Sequence, residues 1–490
     1  MAQVGRDGSA SRGRARGNPF LTGPWAPVHA EQTNEGEVLH GAIPLDLSGS
    51  FVRTGPNPRF PELLDQRTYH FFSGNGMVHG VELGGGKATY RNRWVQTRRV
   101  RRDVASGGET VAEPAPTLPS GTDDRGYGMA NTAMLYHGGR CLALDEGSQG
   151  AWQVALPSLD TVGFYTFGDE LRHNFTAHPK VCGETGELHF FGYGRNDVSD
   201  AHIHYTAVDP DGNLQYKDLP VPFRQPVMAH DMALSRNHAI FFDMPLWDMT
   251  APVSPDDPTR FGVLERGGSG EIQWFEAAGC YGYHTANAWD EDGCIELIYC
   301  SSSRFHFQRS NADSLFLHRW RFDLASGEVL ADEDLCDVPC EFPIVNPAVV
   351  GLKTRYVWAN VLVSEPSPLS SDAIIKYDVE AGGYLKHTLI GGRRGGECFF
   401  APKPGATAED DGYLLLYTQT PGSDSGSDLY IIDAATMDPE PVCVVSLGAF
   451  VPAGFHAFWV DADKYSDGAQ RLDGLQQEPE DIPALEAARL

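Results

Sequence analysis

The chain of 490 residues carries 38 Lys and Arg against 66 Asp and Glu, a formal net charge of −28, and 41% of its residues are hydrophobic. That much apolar material excludes a disordered chain. The acidic balance excludes a nucleic-acid partner, whose phosphates are gripped by clustered Lys and Arg, and leaves at most weak peripheral contact with a membrane.

The first 17 residues set Arg6, Arg12, Arg14 and Arg16 among Gly and Ser and read as a disordered tail, with a plastid transit remnant as the alternative. They lack a secretory apolar segment, and no stretch approaches 18 uninterrupted apolar residues. Nine Cys without a C-x-x-C pair fit neither a disulfide framework nor a structural zinc site, so a cytoplasmic protein is expected.

From Phe20 to about Val460, runs of four to eight residues rich in Val, Ile, Tyr, Phe and Trp alternate with Gly, Asp and Asn. They predict short antiparallel strands, among them 49–54, 134–137, 187–191 and 355–359. Asp211-Gly212, Asp292-Gly293, Ser326-Gly327 and Asp411-Gly412 are expected to supply the positive φ of tight turns. No apolar stripe at helical spacing persists, so helices are expected only as short insertions. The class is all-β. An all-β chain of this size must remove its sheet edges, and radial repetition at about 60 residues per blade would give about seven blades. The pattern predicts one propeller domain over 18–465 and a C-terminal extension over 466–490. Residues 105–125, rich in Gly, Pro and acid, read as a loop.

Of the 17 His, four stand in apolar or aromatic settings at the ends of expected strands: His178, His230, His284 and His456. The first three are 52 and 54 residues apart, and the fourth follows after 172, close to three such intervals. Equivalent positions on different blades converge on the axis of a ring, where imidazoles can share one metal. Spacing alone leaves open that each His only bonds a neighbouring carbonyl. His202 and His204, two apart on an expected strand, read as surface residues. A metal-bound imidazole donates its other N–H to an acceptor that fixes its orientation. Glu146, Glu341 and Glu397, in apolar or Gly-rich surroundings, are the candidate acceptors.

The segments 51–58 (Phe-Val-Arg-Thr-Gly-Pro-Asn-Pro), 69–80, 130–132, 142–146, the four His segments, Glu341-Phe342-Pro343, Glu397 and 409–413 together resemble the carotenoid cleavage oxygenase family, in order and spacing, over almost the whole structured chain. The resemblance implies a seven-bladed β-propeller with short insertions over its metal face. It implies Fe(II) held by His178, His230, His284 and His456, with Glu146, Glu341 and Glu397 behind them. The reaction implied is cleavage of a conjugated C=C bond by O2 into two carbonyl products, with no separate side-chain acid or base.

The segments 175–180, 261–264 and 451–457 look most like the plant-type enzymes that cut carotenoids or apocarotenoids. The stilbene-cleaving branch of the same family is the alternative, and it grips a phenol with a Tyr and a Lys. Here Trp94 stands where the Tyr would be, and no Lys lies between Lys87 and Lys180. The polar character of 105–125, often an apolar membrane-dipping segment in carotenoid-cleaving members, favours a shorter apocarotenoid over a long carotene. A non-catalytic propeller used as a binding scaffold is the alternative from another class.

Overall fold

The structure, a computed structural model, describes residues 18–111, 128–193, 201–246, 252–303, 305, 315–363, 369–422, 426–465 and 471–477. The expected tail over 1–17, most of the 105–125 loop, and 466–470 and 478–490 of the extension lie outside the described residues.

Strands dominate, and their order forms seven blades of antiparallel strands. The first four blades run consecutively and each begins at its inner strand: Ala133–His137, Lys180–Val181, Met232–Leu234 and Thr285–Glu291. The fifth begins at Cys340–Ile344 and the sixth at Phe399–Pro402, and the short strand Arg394–Gly395 stitches these two into one ten-stranded sheet. The seventh combines Ala457–Asp461 with N-terminal strands, Gly49–Pro56 pairing directly with it. The ring closes a second time where Glu37–Gly41 pairs with Cys443–Ser446 in the sixth blade. Two closures between chain ends lock the ring, and the inner strands keep only short edges turned to the axis, which is how an all-β ring escapes edge-to-edge association.

The core is divided into wedges, one between each pair of neighbouring blades. Phe190 and Leu142 meet between the first and second blades, Phe241 and Tyr205 between the second and third, and Phe261 and Trp320 between the third and fourth. Because successive strand residues point to opposite faces and both faces are covered, central strands read as unbroken apolar runs. In Gly412–Gln419, Leu414 enters the wedge with Trp358 of the fifth blade, whereas Leu415 enters the wedge with Phe51 of the seventh.

Two expectations need correction. Gly212, Gly293 and Gly327 have positive φ, but Gly412 does not. It is glycine because a Cβ there would strike the Phe400 ring and the Ala401 carbonyl. His204 is buried, not on the surface, with Nδ1 2.7 Å from Asp218 and its ring stacked near that of His173. Residues 471–477 of the expected extension lie back on the first blade, with Gln476 N donating to the Phe164 carbonyl at 2.8 Å. Among the described residues no helix is long and apolar enough to cross a membrane, and all nine Cys are free.

Candidate metal centre

Each of the four His stands at or just before the start of an inner strand: His178 and His230 two residues ahead of theirs, His284 and His456 one residue ahead. Glu341 lies in the fifth inner strand, and Glu397 two residues before the sixth. Six of the seven blades therefore present one polar residue each at the same end of the axis. The first blade contributes through a turn: Asp145 accepts from the amides of Gly147 and Ser148 (2.8 Å each) and of Ala130 (2.9 Å), a tight Asx-type turn that projects Glu146.

The imidazoles converge. Ring centroids of His178 lie 4.3 Å from His230, 4.9 Å from His284 and 4.4 Å from His456, and His284 and His456 are 4.7 Å apart. The carboxylates stand behind them: Glu146 Oε1 is 2.7 Å from His230 Nδ1, Glu341 Oε2 2.6 Å from His284 Nδ1, and Glu397 Oε1 2.9 Å from His456 Nδ1. An Nδ1 facing a carboxylate carries the proton, which leaves Nε2 as a bare donor pointing inward. His230 Nε2 and His284 Nε2 face each other at 3.3 Å, and the buried Nε2 of His178 has no hydrogen-bond partner. Lone pairs crowded in this way repel unless a cation lies among them. Nitrogens of His178, His284 and His456 all lie within 4.8 Å of one another, and the donor set of neutral imidazoles suits a first-row divalent metal. The residues present fit such an ion.

Electrostatics agree with that fit. Burial, reinforced by the neighbouring imidazoles, holds His178 and His284 well below the ordinary histidine range, so both are neutral donors at pH 7. Burial also pulls on His230, but the charge and hydrogen bond of Glu146 outweigh it and the net shift is upward. Glu341 is pushed up to about 8 by burial, a desolvation cost that a dication on the axis would offset.

Three neighbours of the site were not singled out in the sequence. Asp231, directly after His230, accepts from Lys180 Nζ (2.8 Å) and from Thr285 N (2.8 Å) and Oγ1 (2.9 Å), tying together the second, third and fourth blades one or two residues past their His. Phe342 sits at φ +54 in a register shift of its strand, its amide bonded to Glu341 Oε2, and its ring stacks on His284 at 5.1 Å. The bulge turns Glu341 to the axis and lays an apolar face beside it. Tyr283 meets His230 edge-on at 5.1 Å and packs on Phe305. The available signals were Asp231 adjoining a candidate ligand and Phe342 inside the Glu-Phe-Pro triplet.

A ring of blades that gathers imidazoles on its axis with carboxylates behind them defines a metalloenzyme. The family model described as retinal pigment epithelial membrane protein matches residues 25–461, so the chain belongs to this family, the carotenoid cleavage oxygenases, and is an oxidoreductase, not a bare scaffold. It is 33% identical to carotenoid 9,10(9',10')-cleavage dioxygenase 1 of Arabidopsis thaliana, over 91% of each chain. Among solved structures it resembles lignostilbene dioxygenase of Pseudomonas brassicacearum (TM-score 0.80, 25% identity, 90% of this chain and 98% of that one). It also resembles cobalt-substituted apocarotenoid oxygenase of Synechocystis (TM-score 0.76, 26% identity, 90% and 98%).

Proposed function

We propose that this protein is an Fe(II)-dependent dioxygenase that splits a C=C bond of a carotenoid or apocarotenoid with O2 into two carbonyl products. His178, His230, His284 and His456 would hold the iron, and the observation that carries the reading is their convergence with a carboxylate behind each of three. When bound, the ion supplies a redox centre that reacts with O2 and keeps coordination positions free of protein anions.

The chain's own residues do the rest. Glu146, Glu341 and Glu397 hold the Nδ1 protons of His230, His284 and His456 and so aim Nε2 inward. Asp231 fixes the spacing of three ligand-bearing segments. The rings of Phe342 and Tyr283 beside the imidazoles keep water away and offer a conjugated alkene an apolar surface. A polyene needs no polar anchor, and none of these groups acts as acid or base.

The second reading is cleavage of a stilbene, favoured by the likeness to lignostilbene dioxygenase. Against it, Trp94 spends its indole N–H on the Asn57 carbonyl at 2.9 Å and lies under the Arg59 guanidinium, so it has no donor left for a phenol. Residues 18–465 would form the one catalytic domain, with 466–490 as an extension. Nine unpaired Cys suit a reducing cytosol.

The test is incubation of the Fe(II)-loaded protein with an apocarotenal and with a hydroxystilbene, followed by mass spectrometry of the products. Two carbonyl fragments are expected from the polyene, lost on chelation and restored by Fe(II). Cleavage of the stilbene alone would reverse the substrate assignment.

A further inference from the structure

We propose that Arg53 is a positioning residue for the metal centre, its guanidinium wedged between the two segments that carry the Glu397–His456 pair. The inference rests on the reading of these residues as a metal site. Arg53 lies in Gly49–Pro56, a strand buried at all eight positions, and is only 3% exposed. A buried cation is normally paired with a carboxylate, because burial alone is costly. Among the described residues this one has no carboxylate partner: Nη2 donates to the Pro452 carbonyl at 2.5 Å, the guanidinium lies 4.8 Å from the Tyr417 ring, and Nε has no hydrogen-bond partner.

Its surroundings account for it. The backbone of Arg53 pairs with Ala457, whose amide donates to Glu397 Oε2 at 2.8 Å. A Cβ at Gly454, two residues before His456, would stand 2.9 Å from Arg53 Nε, and a Cβ at Gly396, directly before Glu397, would stand 3.4 Å from Nη1. A flat guanidinium thus fills the slot between two glycines, one on each segment, and fixes their separation. Burial lowers its pKa to about 10, so it remains a cation at neutral pH, and the charge of Glu397 helps to keep it one.

Titration of the metal-free protein with Co(II), followed by its visible d–d bands, tests this in wild type and in the variants Arg53→Met, Arg53→Lys, Gly454→Ala and Tyr417→Phe. Arg53→Met should bind Co(II) about 10- to 100-fold more weakly and shift the bands. Arg53→Lys, which keeps the charge without the flat wedge, should recover part of the affinity. Gly454→Ala, which presses a methyl on Nε, should move the same bands and carries the answer if Arg53→Met does not fold. Tyr417→Phe removes hydroxyl bonds to the Phe51 and His79 carbonyls and should lower thermal stability with unchanged bands. Wild-type affinity and spectrum in both Arg53→Met and Gly454→Ala would overturn the proposal. Wild type that takes up no Co(II) would instead overturn the metal reading itself.

Discussion

Asp231 shows how little of a site's rigidity resides in its ligands. Its carboxylate is almost fully buried and carries three donors from two neighbouring blades, so removing it strands Lys180 Nζ and the Thr285 amide and hydroxyl together. Asp231→Ala should therefore cost about 3 to 5 kcal/mol, read as a lower urea midpoint of the metal-free protein; a loss below about 1 kcal/mol, the size of an exposed pair, would contradict this. Glu341→Gln is a different case, because it keeps the packing and an amide oxygen that can accept from His284 but takes away the carboxylate charge behind it. Metal retention in a chelator competition should fall about 10- to 100-fold, with folding intact. The four imidazoles stood out in the sequence as His in apolar settings at blade spacing and the three carboxylates as Glu in apolar or Gly-rich surroundings, and it was the family resemblance that joined them into one set. Asp231 adjoins a candidate ligand and Phe342 a candidate acceptor, but their roles, and that of Arg53, depend on contacts with other blades and on a positive φ that such adjacency does not reveal.

At the scale of elements, the same two-letter turn signal has two physical origins. Gly293 needs its left-handed φ of +76 and faces open space, whereas Gly412 opens a central strand with extended backbone and gives room to the Phe400 ring. A methyl at each position should separate the two. Gly412→Ala forces the Phe400 wedge apart and should destabilise by about 1 to 3 kcal/mol. Gly293→Ala meets no clash and should cost about 1 to 2 kcal/mol of backbone strain. Crystal structures of the variants give the sharper discrimination: a displaced Phe400 ring is expected only in Gly412→Ala. Strand positions were legible because β-branched and aromatic runs end at turn residues. The joining of the fifth and sixth blades through Arg394–Gly395 was not, since two residues carry no periodicity.

For the whole molecule, seven apolar wedges and a twice-closed ring explain why no internal sequence repeat is needed: each wedge asks only for apolar volume, and different residues fill it. The packing has a pH signature away from the metal. Burial lowers His79 well below its ordinary value of 6.5 and His189 to about 3, and it lowers His137 and His387 as well. Below about pH 6.5 the unfolded chain binds protons that these folded positions refuse. Their stability contribution is therefore whole above that pH and declines as the pH falls. Imidazole NMR of the metal-free protein should find the His79 and His189 rings still neutral at pH 5.5, and a protonated ring at either position would contradict the burial of these groups.

The axial site is the feature that the entire ring serves, since blades two, three, four and seven each deliver one imidazole to it. Its most direct test is the iron content of the protein reconstituted anaerobically with Fe(II) and freed of loose metal, measured for wild type and for His178→Ala, His230→Ala, His284→Ala and His456→Ala. One iron per wild-type chain and a marked loss in all four variants is the predicted result; iron retained at the wild-type level in any of them would remove that histidine from the centre, and an iron-free wild type would contradict the account as a whole.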